Sequence, residues 1–319
     1  MRRSRYGVLG VLLAMLMLAA CGQAGTTGTT AATAAPAQTQ MPPTAAMVEQ
    51  PTAAMAEQPT AAMAAGGLLD EVKKRGKLLI STDANYKPQS FKNPDGSWEG
   101  FDIDVGREIA KRLGVEPEFL DISFDVITAG NWNGRWDINV GSMTITADRK
   151  QVLLFTQPYY YTPAAFAVHT DSKATSIDEL QGKRVGVGAA TTYLDYLQGN
   201  LKLEGEEILK PPPTGVDVKI YDTDQLALQD LALGDGTRLD AVLTALPTIQ
   251  DAIKSGQPFK VLGDPVYYED LAVALDKNSP QDSQSLRDAI DQIIGQMHQD
   301  GTLTQLSMKY YGIDLTKKK

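Results

Sequence analysis

From Lys77 onward, short apolar runs alternate with segments of helical period. KLLIST (77–82), EPEFLDI (116–122) and WDINVGSM (136–143) have the length and composition of strands. Between the first two runs, GFDIDVGREIAKRLG (100–114) places apolar residues four apart, as an amphipathic helix does, with Asp102 available as its N-cap and Gly114 as its end. A further helix is predicted over Phe124–Asn133. This alternation predicts an α/β fold with a mostly parallel sheet flanked by helices.

The same alternation begins again after Ser172. Strands are predicted at KRVGVGA (183–189), VKIYDT (218–223), RLDAVLTA (238–245), FKVLGDPV (259–266) and LAVAL (271–275). Helices are predicted at SIDELQG (176–182), TTYLDYLQG (191–199) and DQLALQDLALG (224–234), the last with an apolar set of Leu226, Leu228, Leu231 and Leu233. The chain closes with predicted helices at Ser283–Gln299 and Thr302–Tyr311. Two α/β units account for this pattern better than one very wide sheet.

The first 66 residues have a different composition. Arg2, Arg3 and Arg5 precede the apolar stretch Val8–Ala20, which is short for a transmembrane helix, so residues 1–20 are predicted to be a signal peptide. Cys21 is the only cysteine, which excludes an intramolecular disulfide. Residues 22–66 are rich in Ala, Thr, Pro and Met and repeat the motif PTAAM, which is typical of a disordered tether.

Charge and residue types exclude several functions. The formal net charge is −9, and removing the predicted signal peptide makes the remainder more acidic, which argues against a nucleic-acid partner. The sequence has no spaced set of Cys or His residues, and GVGAATT (186–192) lacks the glycine pattern of a dinucleotide site. No metal or cofactor is therefore predicted.

Hydroxyl-bearing residues follow two of the predicted strands. GSMTIT (141–146) comes directly after Val140, and GAATT (188–192) comes after RVGV. Ligands of α/β proteins bind at the carboxyl ends of strands, where helix N-termini favour anions. The two segments therefore predict a cleft between the two units.

The sequence resembles the extracellular solute-binding proteins of family 3, the amino-acid-binding receptors of ABC importers. The resemblance covers Leu79–Gly312 and rests on six motifs in the family's order, which are STDANYKPQSF (81–91), GFDIDVGREIAKRLG (100–114), RWDINVGSMTITADRKQVLLFTQPYYY (135–161), GKRVGVGAATTYLDYL (182–197), RLDAVL (238–243) and DGTLTQLSMKYYG (300–312). It implies a type II periplasmic-binding-protein fold with two Rossmann-like lobes joined by two hinge strands. Lobe 1 would comprise residues 67–162 and 267–319, and lobe 2 residues 163–266, with crossings near 161–164 and 263–268.

The resemblance also implies a binding site. Arg149 would pair with the ligand's α-carboxylate, assisted by Ser142, Met143 and Thr144. Its planar guanidinium matches a carboxylate. From the second lobe, Thr191 and Thr192 would meet the same anion at a helix start. Tyr86 and Phe124 would wall the pocket, and Asp83 would meet the ligand's side chain.

One position departs from the family pattern. The family usually has an aspartate at the position of Ala245, where its carboxylate holds the ligand's α-ammonium. A buried ammonium that loses its partner costs about 3–5 kcal/mol. Either another acid, with Asp83 and Asp222 as candidates, replaces that aspartate, or the ligand lacks an α-ammonium.

The resemblance implies a monomeric receptor that delivers a small carboxylate-bearing solute to membrane permease subunits. The spelling LAAC (18–21) resembles a bacterial lipobox, which implies export, acylation of Cys21 and attachment at the outer face of the cytoplasmic membrane or in the periplasm. Two alternatives remain open at this stage. One is an enzyme on the same scaffold, similar to cyclohexadienyl or arogenate dehydratases, although neither His169 nor His298 falls on a motif. The other is a ligand-sensing module for a separate partner.

Overall fold

The structure is a computed structural model that describes residues 67–318. The predicted signal peptide, Cys21 and the predicted tether lie outside these residues. The helices, in chain order, are α1 (Leu68–Arg75), α2 (Phe101–Leu113), α3 (Phe124–Thr128), α4 (Arg149–Val152), α5 (Thr192–Leu197), α6 (Asp224–Leu231), α7 (Leu246–Lys254), α8 (Ser283–Gln299) and α9 (Thr302–Tyr311). A 3₁₀ helix spans Ile177–Leu180. Within 67–318, no helix is both long and apolar enough to cross a membrane.

The strands, in chain order, are β1 (Lys77–Thr82), β2 (Asn85–Tyr86), β3 (Ser90–Lys92), β4 (Trp98–Glu99), β5 (Glu116–Asp121), β6 (Ile138–Thr144), β7 (Leu153–His169), β8 (Arg184–Gly188), β9 (Asp217–Tyr221), β10 (Ala241–Ala245) and β11 (Phe259–Asp276). Eight of them form one sheet in the order β5-β1-β6-β11-β7-β10-β8-β9, and β2, β3 and β4 form a small second sheet. The predicted α/β class is confirmed.

The large sheet contains two parallel parts joined by a long antiparallel pair. β1 is parallel to β5 and β6, and β8 is parallel to β9 and β10. β7 and β11 run antiparallel between these parts, and the predicted crossings lie within them, since Tyr267 pairs with Ala164 and Tyr268 with Pro163. The eight strands form one continuous sheet because β7 and β11 pair with each other and with a strand of each parallel part.

Each part of the sheet is covered on both faces by hydrophobic clusters. Around β1 and β6, one cluster includes Ile80, Phe101 and Ile290, and the other includes Trp132 and Trp136. Around β8 and β10, one cluster includes Val187 and Tyr196, and the other includes Leu228 and Val242. Near-continuous apolar strands such as β6 and β10 are the expected sequence of a sheet buried on both faces.

The structure corrects four local predictions. The helix predicted over Phe124–Asn133 ends at Thr128, because Gly130, Asn131 and Asn133 have positive φ and the backbone N–H groups of Asn131 and Trp132 bind the Asp276 carboxylate. The strands predicted at FKVLGDPV and LAVAL are one strand, β11, with a register shift between Leu262 and Tyr267.

The other two corrections concern side-chain placement. Leu226 and Leu233 are exposed, and only Leu228 and Leu231 of the predicted apolar set are buried. Asp102 does not cap α2. The N-cap residue is Gly100, with φ of 131°, and a Cβ there would lie 2.2 Å from the Gln89 carbonyl oxygen. Asp102 is buried, and its carboxylate turns towards the core.

Candidate ligand-binding site

A cavity opens where β1, β6, β8 and β11 meet the starts of α4, α5 and α6. Eight of the nine predicted ligand-binding residues line it, which are Asp83, Tyr86, Phe124, Ser142, Thr144, Arg149, Thr191 and Thr192. The ninth, Met143, is fully buried in the cluster with Trp132 and Leu153. Successive side chains of a strand point to opposite faces, which places Met143 away from its neighbours Ser142 and Thr144.

Ser142 reaches the cavity in a strained conformation that a buried acid supports. Its φ is +54°, a left-handed value that costs energy for a residue with a Cβ. The Ser142 hydroxyl donates to Asp102 Oδ2 at 2.7 Å, and the Tyr159 hydroxyl donates to Asp102 Oδ1 at 2.7 Å. The Ser142 N–H in turn donates to the Tyr159 hydroxyl at 3.0 Å. Burial raises the pKa of Asp102 to about 7, although both hydroxyl donors oppose that shift.

Arg149 is buried beside the cavity and is held by neutral groups. Its Nη1 donates to the Thr144 carbonyl and its Nη2 to the Ala190 carbonyl, both at 3.0 Å, and its guanidinium lies 5.3 Å from the centroid of the Phe124 ring. No acid lies within ion-pair distance of Arg149 among residues 67–318. Burial lowers the pKa of Arg149, and nearby Glu269 opposes that shift. The guanidinium therefore keeps a positive charge available for an anion.

Thr191 and Thr192 begin α5 on the opposite side of the cavity and have different roles. Thr191 is the N-cap, whose Oγ1 accepts the Leu194 N–H at 3.3 Å and donates to the Gly188 carbonyl at 2.7 Å. Thr192 instead donates its hydroxyl to Glu269 Oε1 at 2.5 Å. The Thr191 hydroxyl is therefore engaged in capping α5, whereas the Thr192 hydroxyl is one of the donors around Glu269.

Two buried acids that line the cavity were not predicted from the sequence. Glu269 accepts hydrogen bonds from Thr144, Thr192 and Tyr193, and burial raises its pKa. Asp224 accepts from the Gly188 N–H at 2.8 Å and the Thr244 hydroxyl at 2.7 Å, and burial raises its pKa to about 7. The sequence does hold a signal that could have identified Glu269, because it lies in the otherwise largely apolar run YYEDLAVAL (267–275).

The remaining candidates lie around the cavity. Burial raises the pKa of Asp83 to about 6, and the exposed Asp222 lies at the rim. Tyr86 forms a hydroxyl contact of 3.3 Å with Tyr193 across the cavity. Ala245 is buried in the cluster around Tyr196 and is not a lining residue. Within the described residues, no cluster of three or more His, Cys, Asp or Glu side chains is arranged to hold a metal ion.

These features combine a fixed cation with hydroxyl groups and buried acids, a set suited to a small ligand that carries both charges. A comparison with known families matches residues 78–313 to the bacterial extracellular solute-binding proteins, family 3. The chain belongs to this family.

Among the relatives of this family 3 protein is the L-cystine-binding protein TcyJ of Escherichia coli (strain K12). It is 34% identical over 254 residues, which cover 79% of this chain and 88% of TcyJ. The L-arginine-binding protein of Pseudomonas aeruginosa is 30% identical over 251 residues, which cover 75% of this chain and 89% of that protein.

Solved structures of similar proteins show the same fold. The ancestral amino acid-binding protein AncCDT-1, described as a precursor of cyclohexadienyl dehydratase, has a TM-score of 0.66 and 30% identity, covering 76% of this chain and 99% of its own. An ancestral arginine-binding protein bound to arginine has a TM-score of 0.64 and 30% identity, covering 74% of this chain and 99% of its own. The family and fold implied by the sequence motifs are therefore confirmed.

Proposed function

We propose that this protein is the substrate-binding receptor of an ABC importer. It captures a small carboxylate-bearing polar solute, an amino acid or a derivative, in the cavity and delivers it to permease subunits. The observation that carries this proposal is the buried guanidinium of Arg149, which is bonded to two carbonyl oxygens and borders the cavity. The relatives named for binding L-cystine and L-arginine support an amino-acid ligand.

Isothermal titration of the full chain tests this function. The panel comprises L-cystine, L-arginine, L-histidine, the other common amino acids, opines, betaines and dicarboxylates. We expect saturable binding of at least one amino acid. We also expect Arg149→Lys to weaken that binding about 10- to 100-fold, because lysine lacks the planar fork that matches a carboxylate.

Arg135→Lys is the matched control. The Arg135 guanidinium packs on Trp136, outside the set of residues that line the cavity, and its replacement should leave the affinity unchanged. A panel in which no compound binds the wild-type protein would show that the proposed function is wrong.

We assign binding without turnover to this cavity. The alternative function is a dehydratase. Two observations favour it: the similar protein AncCDT-1 is described as a precursor of cyclohexadienyl dehydratase, and the cavity contains the buried acids Glu269 and Asp224. Such an enzyme would need a general acid within reach of its substrate. Incubation with prephenate or arogenate should yield no product, and product formation above the uncatalysed rate would favour the enzyme.

The N-terminal sequence supports an exported, lipid-anchored receptor, and we further propose that this receptor acts as a monomer. In this proposal Cys21 carries the acyl chains, and residues 22–66 link the membrane to the folded domain. More than one acyl chain is needed for stable anchoring. The full chain should therefore fractionate with membranes, and Cys21→Ser should release it. A Cys21→Ser variant that stays on the membrane would contradict acylation at this residue.

A further inference from the structure

The face of the sheet that carries Ala245 also carries a buried glutamate. Ala245 pairs with Ala164 of β7, and Ala164 pairs with Tyr267 of β11, so these three residues form one row across the sheet. Directly paired residues point to the same face, and so do residues two apart on a strand. Glu269 follows Tyr267 by two residues and pairs with Thr162. The Glu269 backbone therefore lies two residues, or about 6.6 Å, along β11 from the row that contains Ala245. Its side chain points to the same face of the sheet as the Ala245 side chain.

Glu269 is held by hydroxyl groups from several elements. Its Oε1 accepts from Thr144 of β6 at 2.7 Å and from Thr192 of α5 at 2.5 Å. Its Oε2 accepts from Tyr193 at 2.9 Å and, more weakly, from Thr162 at 3.5 Å. The residue is 2% exposed. The carboxylate is therefore fixed in position by donors that carry no charge.

Glu269 forms no direct ion pair within the described part of the chain. No Lys, Arg or His nitrogen of residues 67–318 lies within 4.0 Å of its carboxylate, and the charge of Arg149 acts on it only from beyond that distance. Burial raises the pKa of Glu269 by more than the charge of Arg149 lowers it. A cationic group of a ligand would add a direct ion pair.

Thr144 connects Glu269 to Arg149. The Thr144 carbonyl accepts from Arg149 Nη1, and the hydroxyl of the same residue donates to Glu269. Arg149 and Glu269 both border the cavity, and neither forms an ion pair with the other among the described residues. A fixed cation and a fixed anion are therefore hydrogen-bonded to the same residue, Thr144, at the edge of the cavity. They match the carboxylate and the ammonium that an α-amino acid carries on one carbon.

We propose that Glu269 is the acceptor for the α-ammonium of the ligand, in place of the aspartate that the family usually has at the position of Ala245. The ligand is therefore an α-amino acid rather than a deaminated carboxylate. This inference rests on the proposed function and specifies the charge of its ligand.

The other acids of the cavity are less suited to this role. Asp224 is bonded to Thr244, whose side chain points to the face opposite that of its neighbour Ala245. Asp222 is exposed at the rim, and Asp83 follows β1, which lies four strands away from the strand β10 that carries Ala245. These three acids remain available to the side chain of the ligand.

Paired ligands that differ only in the α-amino group test the proposal. The probes are L-cystine with 3,3′-dithiodipropionate and L-arginine with 5-guanidinopentanoate. The pair is chosen by whichever amino acid the wild-type protein binds more tightly. We expect Glu269→Gln to weaken binding of the amino acid about 100-fold and to change binding of the deaminated analogue by less than about threefold, because only the amino acid loses an ion pair.

Asp83→Asn and Asp224→Asn are the matched controls, and both should keep the wild-type preference for the amino acid over its analogue. The proposal is overturned if Glu269→Gln keeps that preference or if Asp224→Asn abolishes it. Failure of the wild-type protein to bind any amino acid of the titration panel would instead contradict the proposed function.

A measurement on the wild-type protein covers the case in which Glu269→Gln does not fold. An ammonium beside Glu269 lowers its raised pKa, so amino-acid binding should release a proton over the pH range in which Glu269 of the ligand-free protein is protonated. The ionisable groups that face Glu269 are Tyr86, Arg149, Tyr193, Asp224 and Tyr267. The tyrosine pKa values are raised well above 10, which leaves Asp224 and the nearby Asp83 of the same cavity as competing sources of a proton.

Titration in buffers of different ionisation enthalpy counts the released protons. Across a pH series, we expect the wild-type protein, Asp83→Asn and Asp224→Asn each to release more protons with the amino acid than with the deaminated analogue. Equal release with both ligands would overturn the proposal.

Discussion

At the scale of single residues, the site depends on buried acids whose contacts are mainly with hydroxyl groups. Asp102 holds Ser142 in its left-handed conformation and is also bonded to Tyr159. Glu269 is surrounded by threonine and tyrosine hydroxyls. Hydroxyl donors satisfy a carboxylate without neutralising it, so both side chains retain a cost of charge burial that depends on pH.

Asp102 should make the protein less stable as pH rises. Its folded-state pKa is about 7 against 3.8 for the free group, so the folded state binds more protons between these values. This contribution to stability is present below pH 3.8 and is lost as pH rises through about 7. Relative to Asp102→Asn, the free energy of unfolding of the wild-type protein should fall by up to about 1.4 kcal/mol per pH unit in this window.

Urea denaturation of both proteins at pH 5, 6, 7 and 8 measures this difference. The variant loses a hydrogen bond at every pH, so the informative quantity is the change in the difference and not its absolute value. A difference that stays constant across the series would contradict an Asp102 that is protonated in the folded protein.

At the scale of elements, the long strand β11 replaces two predicted strands. β11 was predicted as two strands because Gly263 and Pro265 interrupt the apolar run, yet its pairing with β7 continues on both sides of a register shift. α6 shows the converse effect. Its sequence predicts four buried leucines, but only Leu228 and Leu231 are buried, because Leu226 lies two residues before Leu228 on the opposite side of the helix and Leu233 lies beyond the end of α6.

At the scale of the molecule, the residues that line the cavity come from both sides of the predicted lobe boundary. Tyr86 meets Tyr193 at 3.3 Å, Gln89 meets Thr248 at 3.3 Å, and Arg149 donates to the Ala190 carbonyl. Each contact joins residues that the prediction assigns to different lobes, namely 67–162 with 267–319 and 163–266. Polar contacts of this kind are individually weak, so a bound ligand that bridges the same surfaces would add to them.

Lobe closure should therefore be visible in solution. We expect the radius of gyration from small-angle scattering to fall when a saturating amino-acid ligand is added to the wild-type protein. Arg149→Lys at the same ligand concentration serves as the control and should show a smaller change. An unchanged radius at proven saturation would contradict closure about β7 and β11.

Elements with strong local periodicity could be predicted from the sequence with accurate bounds. β1 matches KLLIST, and α8 and α9 match their predicted ranges, because apolar spacing and end signals act over a few residues. The family resemblance likewise predicted eight of the sixteen residues that line the cavity, three of them in the motif around Arg149. Their roles as ligand contacts stay a prediction until binding is measured.

Composition and neighbours along the chain were sufficient to establish the α/β class, the family and the segments with strong periodicity. Contacts between distant parts of the chain were needed to show that Asp102 supports Ser142 rather than capping α2, and that Glu269 lies on the same sheet face as Ala245. The physical reason is that a buried charge is stabilised by whichever donors the folded chain brings to it. For Glu269 these are Thr144, Thr192 and Tyr193, which only the register of β11 against β7 and the packing of α5 place within hydrogen-bond distance.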